Sequence, residues 1–293
     1  MHRFAHCFVA SYMLLLVLGQ AQAATSPDQT VLTVAKGLAD NKPVVIWEAL
    51  PASYQKDVHD VLHGAMAKVD PELYDQSMGM VQRIAKILKD KKQFILAHPM
   101  MASMPNKAEV EKQWDPMVGM FDTILASDFG THAKAKSINL GAFLDKTGSK
   151  VMADVTKTAK LAGDDDVTNE FVKEIEKLKT MKASVVKQEG DKATVKIEAT
   201  GQEAEEVEFT LVEGKWLPTE LVAGWSDMIA QAKAETANMN DEDMKKAKQM
   251  AIPMFGMFGG ILATLENVKT QEEFNTAVNG IMQMMGAGVP DQE

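Results

Sequence analysis

The chain has 293 residues, with 41 acidic against 31 basic side chains, a formal net charge of −10 and a single cysteine. That balance argues against nucleic acid as a partner, because phosphate binding needs a basic face. One thiol cannot close an intrachain disulfide or build a multi-cysteine zinc site, so stability has to come from a packed core.

Residues 1–23 read as a cleavable export signal. Arg3 supplies positive charge near the start, and no acidic residue precedes Asp28. Phe8 to Leu18 is an uncharged, apolar run of 11 residues, and Ala21-Gln22-Ala23 offers the small side chains a signal peptidase inspects. Eleven residues fall short of the roughly 20 that span a bilayer, so cleavage after Ala23 is expected rather than anchoring. Cys7 lies inside this segment, which argues against a lipid anchor at the new N-terminus. The expected location is the periplasm or the outside, for a cysteine-free chain.

From residue 24 to about 180 the pattern is helical. Val31, Val34, Ala35 and Leu38 recur at helical spacing, and Asn41-Lys42-Pro43 turns the chain into a short apolar helix at 44–50. After Pro51, residues Tyr54, Val58, Val61, Leu62, Ala65, Met66 and Val69 form one apolar stripe. Asp70-Pro71-Glu72 ends that helix and starts the next, with aspartate as cap and proline in the first turn. The helix predicted at 71–91 turns Leu73, Met80, Val81, Ile84, Ile87 and Leu88 inward. Two or three helices are expected between 105 and 162, and one more at 167–179.

Residues 181–222 change texture. A strand at 182–188 is followed by a turn at Gly190-Asp191, and Ala193, Val195, Ile197 and Ala199 then alternate with polar residues. Val207, Phe209 and Leu211 alternate against Glu206, Glu208 and Thr210, and Glu213-Gly214 turns into Lys215-Trp216-Leu217-Pro218. The pattern predicts a four-stranded antiparallel meander over about 182–217, with one solvated face and one face on helices. Helix returns over 223–285, its first segment placed at 221–236, and residues 286–293 form a loose tail. The fold class is therefore α+β and predominantly helical.

The stretch Gly190-Asp191-Lys192-Ala193-Thr194-Val195, followed by Phe209-Thr210-Leu211-Val212-Glu213-Gly214-Lys215-Trp216, resembles the sheet of exported NTF2-like or cystatin-like α+β modules. The resemblance implies helices packed on a curved antiparallel sheet. It brings no catalytic residues with it, and fold alone does not carry function.

Residues 116–127 and 253–264 echo each other: eight of the twelve positions are identical and a ninth pairs Ser127 with Thr264. One reading is coincidence between apolar, methionine-rich helices; the other is two related helical halves flanking the sheet.

Chemistry-bearing candidates are few. His59 and His63 are four apart on a helix and could share a metal, with His98 or His132 as a third ligand. Their HDVLH context lacks the glutamate of a zinc protease, and the competing expectation is solvated helix surface. Met250, Met254, Met257 and Phe258 offer an apolar surface for a ligand or partner, or a soft copper site shared with Met282, Met284 and Met285. Core packing is the stronger expectation for these methionines, because Phe255, Ile261 and Leu262 are interleaved with them and the apolar run 250–265 reads as a buried helix or two. Asp164-Asp165-Asp166 fails the EF-hand pattern and suits the start of a helix. Ala223-Gly224-Trp225-Ser226-Asp227 lacks the second glycine of a nucleophile elbow, so Ser226 reads as a helix cap. No cofactor is expected. The leading expectation is a non-catalytic envelope protein that binds an apolar ligand or a protein partner. The alternatives are an Asp/Glu-dependent hydrolase or a metal protein using His59 and His63.

Overall fold

The computed structural model describes residues 25–159, 161, 167–201, 203–239 and 241–284. The export-like segment, Asp164–Asp166, Met285 and the tail 286–293 lie outside the described residues. The chain is predominantly helical with one four-stranded antiparallel sheet, as the periodicities require.

Helix α1 (Pro27–Ala39) opens on proline, whose fixed φ and missing N–H suit a first turn. It ends before Asn41, which takes φ 58°, a conformation asparagine tolerates better than most residues. Helix α2 (Val44–Ala49) folds straight back on α1. A Cβ on Gly37 would lie 2.3 Å from Cγ1 and 2.9 Å from Cβ of Val45, so only glycine permits this corner. Helix α3 (Ala52–Lys68) follows, and then α4 (Pro71–Asp90), capped by Asp70, whose Oδ1 accepts from the Leu73 N–H at 2.9 Å. Within α4, Ala85 and Ile87 are buried. Ile84, predicted to face inward, is instead exposed, because the neighbouring helices take the flanks of α4 beside it.

The short helices α5 (Lys92–Ala97) and α6 (Pro99–Ala102) lead to α7 (Lys107–Leu125), which accommodates Pro116. Between α7 and the sheet the chain is more broken than its periodicity suggests. A 3-10 turn (Asp128–Gly130), α8 (His132–Ala135), α9 (Leu140–Phe143) and a π turn (Leu144–Gly148) precede α10 (Ser149–Ala159) and α11 (Val167–Lys179).

Strands β1 (Lys182–Glu189), β2 (Lys192–Glu198), β3 (Glu205–Val212) and β4 (Lys215–Pro218) form the meander in the order β1-β2-β3-β4. Positive φ at Gly190, Glu213 and Gly214 turns the two tight hairpins. Val195 pairs with Val185 on one side and Val207 on the other; Ala193 pairs with Phe209, and Leu211 with Trp216. These side chains share one face with Ile197, and its core is Ala193, Val195, Phe209 and Trp216. A bulge between Val185 and Lys187 breaks the register and leaves Val186 exposed on the edge strand.

The second face is not solvated throughout. Leu217, adjacent to Trp216 and so on the opposite face, packs with Tyr54 and Trp225. Helix α12 (Thr219–Asn238) covers this end of the sheet together with α3. Tyr54 and Trp225 stack at 4.0 Å, and the Trp225 indole donates to Asp57 Oδ2 at 3.1 Å. Ser226, expected as a cap, lies inside α12, which begins seven residues earlier, directly where β4 ends at Pro218.

Helix α13 (Asp241–Asn267) runs 27 residues through Pro253, and α14 (Gln271–Met284) closes the described chain. The first echo segment runs along α7 and two residues past its end, the second lies within α13; both helices contain a proline, and both pack on α4. They therefore flank a helix, not the sheet. Arg83 on α4 anchors α13 by a two-pronged pair with Glu266 (2.7 and 2.9 Å) and a bond to the Gly259 carbonyl at 3.1 Å. Lys248 reaches Asp70 at 3.0 Å and Glu72 at 2.7 Å, which holds the Asp70 carboxyl below its ordinary range together with the larger effect of the Leu73 N–H. No described helix is long and apolar enough to cross a membrane.

Candidate functional site

The meander does not close completely against its helices. An apolar cavity of about 360 Å³ lies between the face of the sheet, helices α1 and α2, and the end of α11. Its sheet wall is Ile197, Val207, Phe209 and Trp216, completed at the end of β4 by Leu217 and Pro218 and by Leu221 of α12; α1 contributes Val31, Val34, Ala35 and Leu38. Ile46, Ala49 and Leu50 come from the α2 segment, and Leu178 and Met181 from the end of α11. Ile46 is 49% exposed and marks a side where the cavity meets solvent.

The local sequence explains the void. Ala35 and Ala49 present only methyl groups to the cavity while Phe209 and Trp216 on its sheet wall are large; α1 packs on the strands through Val31, and the corner at Gly37 and Val45 fixes where α2 leaves it. The volume sits toward the low end of ligand pockets, about 300–1,000 Å³. It is more than twice the roughly 150 Å³ that admits benzene in an engineered core. Thr30 is the single hydroxyl side chain near its base, and it directs its proton to the Ser26 carbonyl at 3.3 Å. Among the described residues, no carboxylate, amine or imidazole lines the cavity.

The histidines have other work. His59 and His63 do share a strip of α3, with rings nearly parallel (14°) and centroids 5.4 Å apart. His59 Nε2 accepts from the Leu140 N–H at 3.2 Å, and His63 Nε2 meets the Ile138 carbonyl at 3.0 Å. Trp47 packs on His59 at 4.8 Å. The pair thus latches the broken segment at 138–140 onto α3 and is not plain solvated surface. Burial, and then the neighbouring His63, press the pKa of His59 below its ordinary value, with Asp60 opposing them. The two further candidates are engaged elsewhere: His132 Nε2 meets the Met66 carbonyl at 2.9 Å, and His98 Nδ1 accepts from the Met100 N–H at 3.3 Å. Among the described residues no three His, Cys, Asp or Glu side chains converge into a metal-holding group.

The α13 methionines are not core. Met250, Met254 and Met257 are 69%, 51% and 58% exposed, and only Leu262 of the 250–265 run is buried. The expected core packing fails because α13 meets α4 along another edge, the one carrying Lys248, Gly259 and Glu266. Phe258 is half-buried beside the exposed stripe. Sequence reasoning missed the cavity, although Ala35 and Ala49 opposite Phe209 and Trp216 were its signal. No family model matches the chain, and neither the curated proteins nor the solved structures yield a match.

Proposed function

We propose that the protein is an exported, non-catalytic binding protein that holds a small apolar molecule between α1, α2 and the sheet. The observation that carries this reading is the cavity: it is lined almost wholly by hydrocarbon and aromatic side chains and has no acid or base to do chemistry. The sequence of residues 1–23 supports the export half, and no cofactor is invoked. Titration with the apolar dye N-phenylnaphthylamine tests the binding half. One saturable dye site per chain, weakened when Ala35→Leu narrows the cavity, is the expected result. Absence of a saturable site would overturn it. Intact mass of chain purified from the envelope fraction tests the export half, with a polypeptide beginning at Ala24 expected.

The exposed stripe on α13 favours a second reading, in which Met250, Met254 and Met257 dock the chain on another protein's apolar surface. Its simplest form is self-association. Sedimentation velocity would then show a concentration-dependent shift that Met254→Glu abolishes.

A further inference from the structure

The sheet begins on a strand with no neighbour on its outer side. β1 pairs with β2 alone, and among the described residues no backbone hydrogen bond from another element reaches its other edge. Seven of its eight residues are exposed, including Val185 at 37% and Val186 at 52%. A free edge is a template for a further strand, and proteins commonly blunt it with scattered charge. On β1 the two ends carry opposite charges instead: Lys182 opens the strand and Glu189 closes it. The ladder with β2 also fixes where the side chains point, because residues directly opposite in an antiparallel pair share a face. Ala183, Val185 and Gln188 stand opposite Ile197, Val195 and Ala193 and lie on the core face. Lys182, Ser184, Lys187 and Glu189 stand opposite Glu198, Lys196, Thr194 and Lys192, on the other face.

In a regular strand Lys182 and Glu189, an odd number of positions apart, would face opposite ways and could not meet across an antiparallel pair of identical strands. The bulge between Val185 and Lys187 inserts the one residue that brings both onto the same face. A second β1 laid end for end beside the first then sets Lys182 against Glu189, Ala183 against Gln188, Ser184 against Lys187 and Val185 against Val186. The first three of these pairs each share a face. We infer that β1 is a self-recognition edge: two copies of this chain join antiparallel through it into one eight-stranded sheet, with a Lys182–Glu189 pair at each end. The two copies of Lys187 come to lie diagonally, and each has its own Glu189 at 3.1 Å to offset the repulsion. The inference rests on neither the cavity nor the α13 stripe. A single strand pair buries little side-chain surface beyond Val185 and Val186, so the dimer is expected to be weak and concentration-dependent.

Sedimentation velocity over a concentration series tests this with Lys182→Glu and Glu189→Lys. Either change alone sets like charges against each other at both ends, and dimer affinity should fall about ten-fold or more. Mixed in equal amounts, the two variants restore both opposite-charge pairs, so the dimer should return, and its return shows that both variants are folded. Met254→Glu should leave this dimer intact. Amide exchange gives a second readout that needs no variant: in the wild-type chain, exchange along β1 should slow as concentration rises. A wild-type chain that stays monomeric, or β1 exchange that ignores concentration, overturns the proposal whatever the variants do. Single variants that dimerise as the wild type does, or a mixture no more dimeric than its components, overturn it too. A dimer that Met254→Glu abolishes and the charge changes leave alone overturns the β1 edge and supports the α13 stripe in its place.

Discussion

Narrowing the cavity should stabilise the protein, and Ala35→Leu is the substitution that decides it. Ala35 is buried on α1, with its methyl group at the cavity wall. Leucine adds three carbons to a space of about 360 Å³ without touching the backbone. At about 0.8 kcal/mol for each buried carbon the gain is about 2.4 kcal/mol, and ordering the new side chain removes about 0.5–1 of it. Leucine costs an α-helix almost nothing relative to alanine, so a net gain of about 1.5 kcal/mol remains. In a chain of this size that corresponds to a rise in Tm of about 3–6 °C, read by calorimetry or circular dichroism. The reasoning is refuted by a fall in Tm of similar size. That result would mean α1 and the sheet already touch at Ala35, since forcing a methylene group into a full core costs about 1–3 kcal/mol. The same variant should bind the dye more weakly, which ties the stability change to the site.

The remaining predictions concern what frames the cavity. Gly37→Ala should lose about 1–3 kcal/mol in denaturant unfolding, because the new methyl group would meet Val45 at Cβ as well as Cγ1 and no side-chain rotation relieves it. Asp57→Ala should cost about 1–2 kcal/mol by leaving the Trp225 indole N–H without its acceptor, whereas Trp225→Phe together with Asp57→Ala should cost less than the sum of the two single changes. The His59 latch makes stability depend on pH. Its folded pKa is depressed, so the unfolded chain binds the extra proton first, and stability should be full above about pH 6.5 and fall as pH drops below it toward the folded pKa. Unfolding midpoints measured across that range should become less steep in His59→Gln, with a residual slope from His98, whose pKa burial also lowers; an unchanged slope counts against the latch. Glu266→Gln should weaken the bidentate hold of α13 on α4 and lower the unfolding midpoint, and added salt should narrow the difference from wild type.

How much of this was legible beforehand depends on the range of the interaction that decides it. The meander was legible almost to the residue, because alternation, turn glycines and the short reach of each hairpin are local: Val195 and Phe209 had to face one way whatever covered them. The helix start at Asp70-Pro71 was equally local, and the cap bond to Leu73 is there. Periodicity assigns a face to a helix but not a neighbour to the face. Ile84 and the stripe at Met250, Met254 and Met257 were apolar at core spacing, and both proved exposed because α4 and α13 meet through polar anchors: Arg83 with Glu266, and Lys248 with Asp70 and Glu72. Those pairs join residues more than 170 positions apart in the chain, and no local rule selects them.

The cavity follows from the same limit, seen from the other side. A sheet face carrying Phe209 and Trp216 has more apolar surface than α1 can fill with Val31, Val34, Ala35 and Leu38, because one of those four is a methyl group. α1 already packs on the strands through Val31, so closing the gap would need α2 to move in, and two contacts fix its place. One is the corner at Gly37 and Val45, which ties it to α1; the other is the packing of Trp47 on the latched His59. The His59–His63 pair, which invited a metal assignment when read alone, thus bears on the binding site through what it supports. Protonating His59 removes its acceptor for the Leu140 N–H and frees the ring beneath Trp47, so the corner that holds the cavity open should loosen at acid pH. Dye affinity measured across the same pH range should fall in the wild type in step with the unfolding midpoint. Affinity that stays flat while stability falls would show that α2 keeps its place without the latch.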